Sequence, residues 1–236
     1  VAGLRAALEL AAHGDVLVVT KESVSESNTH YAQGGIAVAE PEPDEISLHL
    51  DDTVRAGDGL VHRAAAEVLV SEGPRRVAEL IEWGARFDQE NGRLLRTREA
   101  AHSLPRILHA NGDATGAEIS RSLATMARAH ANIQFAEWTS VTNLLTADGC
   151  VAGAELIDAE ARVRRVSARA VLIAAGGAGQ VYSASLRLVS GCLRMFCAHS
   201  WPPPGSVLPG GLELSAHCPG LTPSGLRALL HSLGRK

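Results

Sequence analysis

Five charged or titratable side chains lie within twelve residues, 98–109, of a segment that the sequence pattern predicts to be a loop. They are Arg98, Glu99, His102, Arg106 and His109. A carboxylate can pair with an ammonium group, and guanidinium and imidazolium groups can pair with carboxylates. The segment could therefore orient a small ligand that carries an amine and carboxylates, with Glu99 at the amine. The competing interpretation is that the two histidines are solvated loop residues.

A second group of candidate binding residues lies at the start of the chain. A strand, G-x-G-x-x-G and a helix form the dinucleotide-binding fingerprint, in which a pyrophosphate sits at the helix N-terminus. Here only the end of this pattern is present, because Val1-Ala2-Gly3 leads directly into a helical stripe. Gly3 fits the third glycine, which allows close helix–strand packing. The alternative is an ordinary turn before a helix.

A third candidate is the segment 27–37, which reads SNTHYAQGGIA. It resembles the flavin-contacting loop of the succinate dehydrogenase, fumarate reductase and L-aspartate oxidase flavoproteins, and it follows a predicted strand at the spacing those proteins use. Small residues let the isoalloxazine ring of a flavin lie against bare backbone, whose N–H groups can bond the ring. Taken by itself, the segment could also be a glycine-rich surface loop.

Three further segments extend the resemblance over residues 1–182. Residues 97–116 look like L-aspartate oxidases in particular, residues 174–182 resemble the strand that returns beneath the cofactor, and residues 140–141 match the position whose backbone contacts the adenine. The cofactor-binding residues that the resemblance implies are Val1, Ala2, Gly3, Lys21, Asn28, Thr29, His30, Tyr31, Ala32, Gln33, Gly34, Gly35, Ser140, Val141 and Gly176.

One departure from the family pattern concerns how the flavin is attached. Succinate dehydrogenases and fumarate reductases have a histidine just before the threonine of this loop, and that histidine binds the flavin covalently. Here the position is Asn28, and His30 lies on the other side of Thr29. The resemblance therefore implies FAD that is bound non-covalently, as in aspartate oxidases.

The function implied by the resemblance is the oxidation of L-aspartate to iminoaspartate, the first step of bacterial NAD biosynthesis, with oxygen or fumarate as the electron acceptor. Glu99 is then expected to orient the substrate amine. The family's catalytic arginine and substrate histidines lie in a capping region beyond the point where this chain leaves the pattern. We therefore assign no catalytic base, and we expect the 236-residue chain to be inactive as given.

Two other functions remain open at this stage. The chain could belong to a fumarate reductase or succinate dehydrogenase-like flavoprotein, or it could be a non-catalytic nucleotide-binding fragment. Detecting the product formed from aspartate or from succinate separates the first alternative from the aspartate oxidase interpretation. The visible absorbance of bound flavin separates the second.

The elements that must position these residues follow from periodicity. Helical stripes predict helices over 3–13, 44–56 and 63–72, and Pro74 predicts the start of a separate helix that Gly84 closes. Residues 88–113 are predicted to be a long loop, and Thr115 and Glu118 a capping box that opens the next helix. Apolar runs at Val16–Val19 and 171–175 predict buried strands of a parallel sheet.

The pattern therefore predicts an α/β fold, and the resemblance implies that it is an incomplete doubly wound FAD-binding domain. Period-two patterns over 141–146, 151–157 and 163–166 predict a three-stranded antiparallel meander with tight turns. In a doubly wound domain a first strand would lie centrally, and we expect it to precede Val1.

Composition limits the remaining options. The net charge is −4, and no apolar run reaches the roughly 20 residues of a membrane helix. This balance suits a cytoplasmic protein without nucleic-acid or membrane partners. Residues 1–182 carry a net charge of −8 and residues 183–236 a net charge of +4. We place the FAD-binding domain at 1–182 and interpret 183–236 as an irregular tail, either frameshifted or disordered.

Metal binding is not predicted in either part. No cysteine or acid follows the histidines of the loop at the spacing of metal ligands. The tail residues that could bind zinc do not match a known zinc pattern; they are Cys192, Cys197, His199, His217 and Cys218.

Overall fold

The computed structural model describes residues 1–99 and 101–176, together with the backbone of residues 207–208 and 212–213. The chain forms two compact units. Within the described residues, unit one contains Val1 and Ser27–Ala129, and unit two contains Ala2–Glu26, residues 130–176 and the two short tail segments.

The helices within this part of the chain are α1 (Ala2–Leu10), α2 (Pro43–Ala56), α3 (Arg63–Glu82) and α4 (Thr115–Ala129). The strands are β1 (Val16–Val19), β2 (Ile36–Ala37), β3 (Gln89–Glu90), β4 (Arg93–Leu94), β5 (Arg96–Thr97), β6 (Ile107–Leu108), β7 (Ile133–Ala136), β8 (Thr139–Ala147), β9 (Cys150–Asp158), β10 (Val163–Ser167), β11 (Val207–Leu208) and β12 (Leu212–Glu213).

Unit two begins with a helix and a parallel strand pair. Helix α1 buries Leu4, Ala6 and Ala7. Strand β1 pairs in parallel with β7, a strand that the sequence analysis missed. The β-branched run of β1 forms a strand as predicted, but it is not fully buried, since Leu17 remains 40% exposed.

The meander of unit two has the predicted antiparallel order β10-β9-β8. Asp148 and Gly149 connect β8 to β9 with φ values of 52° and 77°, the left-handed pair that a tight hairpin turn requires. Gly153 in β9 allows a close approach, because a Cβ there would lie 2.1 Å from the carbonyl oxygen of Val166.

Unit one consists of helices and short strands. Helices α2 and α3 pack through Leu50, Ala66 and Val70. A three-stranded antiparallel sheet has the order β2-β6-β5, and β3 pairs with β4 in a hairpin. The predicted long loop over 88–113 is therefore wrong in part, because it contains four two-residue strands. Strands β3 and β4 pair locally, and β6 pairs with the distant β2 as well as with β5.

Proline does not divide α3 in the way the sequence suggested. Pro74 lies inside one continuous helix, although it removes a backbone donor from the helix interior. Buried Ala66, Val70 and Val77 lie on both sides of it, so burial holds the helix together across the proline. Gly84 follows the helix with φ of 83°, as expected for a residue just past a helix end.

The predicted capping box at the start of α4 is also wrong. The hydroxyl of Thr115 accepts the Ala110 N–H at 3.0 Å. The carboxylate of Glu118 accepts the Arg86 N–H at 2.7 Å and pairs with Arg121. Neither side chain therefore caps the first turn of α4: Thr115 bonds to Ala110, and Glu118 bonds to Arg86 and to Arg121 of its own helix.

The predicted buried strand at 171–175 does not form. These residues are irregular, and Val171, Leu172 and Ile173 are 36%, 48% and 46% exposed. A strand needs a neighbour for its backbone hydrogen bonds, and within the described residues no strand pairs with this segment. The predicted continuation over 177–182 and the tail lie outside the described residues, except for the paired β11 and β12.

Among residues 1–99 and 101–176, none of the helices is long and apolar enough to cross a lipid bilayer.

Candidate functional site

The predicted cofactor loop, residues 27–35 of unit one, is a series of tight turns. The His30 N–H donates to the Ser27 carbonyl at 3.0 Å, and the Ala32 N–H donates to the Thr29 carbonyl at 3.1 Å. The side chains of His30 and Tyr31 are exposed and meet edge to face. These turns place successive backbone groups at the surface, and the chain then enters β2.

The two glycines that end the cofactor loop have different structural roles. Gly34 has φ of 81°, and no heavy atom of the described residues lies within 4 Å of the place where its Cβ would be. At Gly35 a Cβ would lie 2.2 Å from Ile107 Cγ2 and 2.8 Å from the Leu108 carbonyl oxygen. Gly34 therefore offers bare backbone on which a planar ring could lie, while Gly35 lets the loop pack on β6.

The start of α4 supports the other side of the cofactor loop. The N–H of Gly116 donates to the Ala32 carbonyl at 3.2 Å. A Cβ on Gly116 would lie 2.0 Å from the Thr29 carbonyl oxygen. The N–H of Gly34 donates to the carboxylate of Asp113. Neither Asp113 nor Gly116 was predicted from the sequence to be a site residue, although both lie in the segment 97–116 that carries the resemblance.

Glu99 is linked to the cofactor loop by His109, which lies close to both. Its Oε1 is 3.1 Å from His109 Nε2, and the Thr97 hydroxyl is 3.0 Å from the same nitrogen. His109 Cε1 would lie 3.1 Å from a Cβ on Gly35. Glu99 itself is 51% exposed, so its carboxylate can reach a ligand in solvent. The structure thus brings Glu99, His109 and the cofactor loop together within unit one.

Arg106 does not belong to this exposed group. It is fully buried, and its Nη1 donates to Asp52 Oδ2 at 2.6 Å. Ser103 donates to the same carboxylate from its backbone N–H at 2.7 Å and its hydroxyl at 2.6 Å. The prediction that Arg106 pairs with a ligand carboxylate is therefore wrong, because Asp52 already neutralises the guanidinium inside the protein.

This buried cluster shifts the protonation of its members. Burial alone would raise the pKa of Asp52, but hydrogen bonds from Ser103 and Arg106 outweigh it and hold the pKa below its ordinary range. Burial, and then the positive charge of Arg106, lower the pKa of His49 to about 4. The ring of His49 meets that of His102 edge to face at 5.5 Å. His49 is therefore a neutral core histidine at pH 7.

In unit two, the predicted phosphate-binding start lies at the N-terminus of α1. A Cβ on Gly3 would lie 3.3 Å from Ala174 Cβ, so the helix start packs tightly on the segment that leads to Gly176. Gly176 has φ of 75°. Gly3 therefore allows a close contact at the helix start, but its neighbour is an irregular segment and not the strand of the fingerprint pattern.

The predicted adenine-contacting residues lie at the far end of the β1–β7 pair. The Thr139 N–H donates to the Thr20 carbonyl at 3.0 Å, which joins the end of β1 to the start of β8. Lys21 follows Thr20, and Ser140 follows Thr139. The structure therefore brings Lys21 and Ser140 to one end of the unit-two sheets.

The predicted cofactor residues are divided between the two units. Val1, residues 28–35 and Glu99 belong to unit one. Ala2, Gly3, Lys21, residues 140–141 and Gly176 belong to unit two. Their assignment as FAD contacts remains a prediction.

The family is defined by comparison with known proteins. A family model described as an FAD binding domain matches residues 1–199. The chain therefore belongs to this family of FAD-binding domains, and its cofactor is FAD.

Within this class, several relatives share one name. The chain is 47% identical over 192 residues to L-aspartate oxidase of Streptomyces coelicolor, covering 78% of this chain and 33% of that protein. It is 43% identical over 188 residues to L-aspartate oxidase 2-a, chloroplastic, of Nicotiana tabacum, covering 77% and 29%. The chain thus spans about a third of the length of these curated relatives.

Solved structures give the same fold. Mycobacterium smegmatis Sdh1 in complex with UQ1 matches with a TM-score of 0.68 and 35% identity, covering 77% of this chain and 33% of that one. A variant of E. coli quinol fumarate reductase FrdA matches with a TM-score of 0.70 and 28% identity, covering 77% and 32%. The α/β FAD-binding fold expected from the sequence is therefore confirmed.

Proposed function

We propose that this chain is the FAD-binding part of an L-aspartate oxidase, an enzyme that oxidises L-aspartate to iminoaspartate in cytoplasmic NAD biosynthesis. The observation that carries the proposal is the 47% identity to a relative of that name. The exposed Glu99 beside the cofactor loop supports it, because the substrate has an amine that a carboxylate can bind.

FAD would be held without a covalent bond. Asn28 has no nucleophilic ring nitrogen to attach a flavin, and the bare backbone at Gly34 fits a flat ring system. In unit two, the N-terminus of α1 offers backbone N–H groups and a positive dipole end to a phosphate. When bound, FAD accepts a hydride from the Cα of the substrate.

The role of Glu99 is to orient the substrate. Its carboxylate would pair with the ammonium group of aspartate, while His109 and Thr97 keep the carboxylate in place. Exposed Arg98 could pair with a substrate carboxylate from the same loop. No catalytic base is assigned to the described residues, and the acceptor of the electrons, oxygen or fumarate, is part of the proposal.

A fumarate reductase or succinate dehydrogenase-like function is the second candidate. The structural similarity to Sdh1 and FrdA favours it. The residue at position 28 speaks against it, because those families carry a flavin-binding histidine where this chain has Asn28.

Two measurements test these proposals. The first is FAD titration into a soluble form of the protein that contains residues 1–182, followed by acid precipitation. We expect flavin in the native protein and none in the precipitate; flavin that stays with the precipitate contradicts non-covalent binding, and no flavin at all favours a fragment that does not bind FAD.

The second measurement compares aspartate with succinate as substrate for a longer form of the protein that includes a capping region. We expect iminoaspartate to form from aspartate and no fumarate to form from succinate. The reverse selectivity would replace the main proposal by the second candidate.

A further inference from the structure

The cofactor loop (residues 27–35) is held on one side by a short segment at the start of α4, which we call the loop platform (residues 113–116). Its first residue, Asp113, accepts the Gly34 N–H, and its last residue, Gly116, meets the backbone of Thr29 and Ala32. These contacts lie at opposite ends of the turns of the cofactor loop.

Gly116 contacts the loop through backbone alone. As a residue in the first turn of a helix, its N–H has no partner within the helix, and the Ala32 carbonyl accepts it at 3.2 Å. A Cβ there would lie 2.0 Å from the Thr29 carbonyl oxygen and 2.7 Å from the Ala32 carbonyl oxygen. Backbone atoms cannot rotate away as a flexible side chain can, so any larger residue displaces the loop.

Asp113 acts on the other end of the loop. Its carboxylate is exposed, and it accepts the N–H of Gly34, the residue with φ of 81°. A charge-assisted hydrogen bond to a backbone N–H is stronger than a neutral one, so it can hold this left-handed conformation. An exposed aspartate has no packing role of its own, which leaves this bond as its structural contribution.

We propose that Asp113 and Gly116 are positioning residues that fix the backbone of residues 29–34 in the shape that receives the flavin ring. This proposal rests on the proposed binding of FAD to this loop. Neither residue contacts the reacting atoms in the proposal; both act through the backbone of the cofactor loop.

The first test compares two helical glycines in a soluble form of the protein that contains residues 1–182. Gly116→Ala introduces the clash with Thr29, whereas Gly73→Ala in α3 meets only Val38 Cγ2 at an ordinary 3.9 Å. Both changes favour helix formation by a similar amount, so propensity cancels between them. The readouts are hydrogen exchange of peptides covering 27–37 without FAD, and the affinity for FAD.

We expect Gly116→Ala to speed exchange over 29–34 and to weaken FAD binding by at least about tenfold, and Gly73→Ala to change neither. Unchanged exchange and unchanged affinity in Gly116→Ala would overturn the proposal. If the parent protein binds no FAD, the proposed function fails, and the exchange comparison then decides the positioning role by itself.

The second test uses the exposed member of the loop platform, whose replacement is not expected to prevent folding. Asp113→Ala removes the acceptor, and Asp113→Asn keeps an oxygen that can accept the Gly34 N–H. We expect the alanine variant to weaken FAD binding by about tenfold and the asparagine variant to recover most of the loss. Equal losses in both variants, or no loss in either, would contradict a positioning role for this hydrogen bond.

Discussion

Residues 27–35 of unit one and residues 171–176 of unit two both contain predicted FAD contacts, yet their surroundings differ. The first segment is fixed by Gly116, by Asp113 and by the packing of Gly35 on β6. The second is irregular and largely exposed, and Ala174 lies close to Gly3 at the start of α1. A glycine-rich motif therefore acquires a defined shape from the neighbours that pack on it.

The largest expected effect comes from breaking the buried ion pair of Asp52 and Arg106 beside the strand on which the first segment packs. Arg106 directly precedes β6, on which Gly35 packs. The change Asp52→Asn leaves the Arg106 guanidinium buried without a countercharge. We expect a loss of about 3–5 kcal/mol in the free energy of unfolding. Urea denaturation measures it, and hydrogen exchange over 27–35 should rise toward that of 171–176.

The control for this change replaces both charges. Asp52→Leu combined with Arg106→Met should recover much of the stability, because an apolar pair removes the unpaired charge. A double variant no more stable than Asp52→Asn alone would show that the unpaired buried charge is not the cause of the lost stability.

The second prediction concerns pH. The pKa of His49 is lowered from 6.5 to about 4 in the folded protein, so the unfolded chain binds a proton more readily. Stability from this residue is therefore complete above pH 6.5 and is lost as pH falls toward 4, by on the order of 3 kcal/mol. The urea midpoint is measured from pH 7 to pH 4. It should fall less in His49→Leu than in the control His13→Gln, which changes an exposed histidine.

The third prediction concerns Glu99, which lies close to the first segment through His109. Glu99→Gln keeps the shape and removes the charge that would pair with the substrate amine. One charge-assisted hydrogen bond is worth about 1.5–3 kcal/mol, so aspartate turnover in an active, longer form should fall by about one to two orders of magnitude. Fumarate has no ammonium group, so its reduction should fall less. An equal fall in both activities would exclude Glu99 as the amine-orienting residue.

The fourth prediction separates backbone strain from a lost flavin contact. Gly34→Val and Gly59→Val place a side chain at φ of 81° and 87°, and neither Cβ has a heavy atom of the described residues within 4 Å. Both changes should cost a similar 1–3 kcal/mol or so in strain. Flavin retention should be lost in Gly34→Val alone. Equal flavin stoichiometry in the two variants would contradict the contact.

The smallest effect on stability is expected in the second segment. Leu172→Lys with Ile173→Lys changes two half-exposed side chains in a segment without a paired strand, so unfolding free energy should shift by no more than about 0.5 kcal/mol. Aggregation should decrease, because exposed aliphatic residues in a strand-forming run favour edge-to-edge pairing. The matched control is Leu60→Lys with Leu69→Lys, two exposed residues near helices, which should change light scattering less.

Local patterns in the sequence were sufficient where structure depends on near neighbours. Helices α1 and α4, the turn at Asp148 and Gly149, and the order of the meander follow from periodicity and turn chemistry. Strand β7 and the two-residue strands of unit one were not predicted from the sequence. Strands β7 and β2 pair with strands that are distant in the chain, and strands of two residues are too short to show a periodic pattern.

By itself, the sequence determined the FAD-binding family, the flavin loop as a candidate and the absence of a histidine at position 28. Only the tertiary structure decided which charged residues are exposed. Glu99 and Arg106 are both predicted as loop residues, but Arg106 is buried in an ion pair with Asp52 of α2, while Glu99 is half exposed beside His109. The contacts of Asp113 and Gly116 with the cofactor loop are also visible only in the tertiary structure. Asp113 and Gly34 are 79 positions apart in the chain, and no local pattern encodes a contact over that separation.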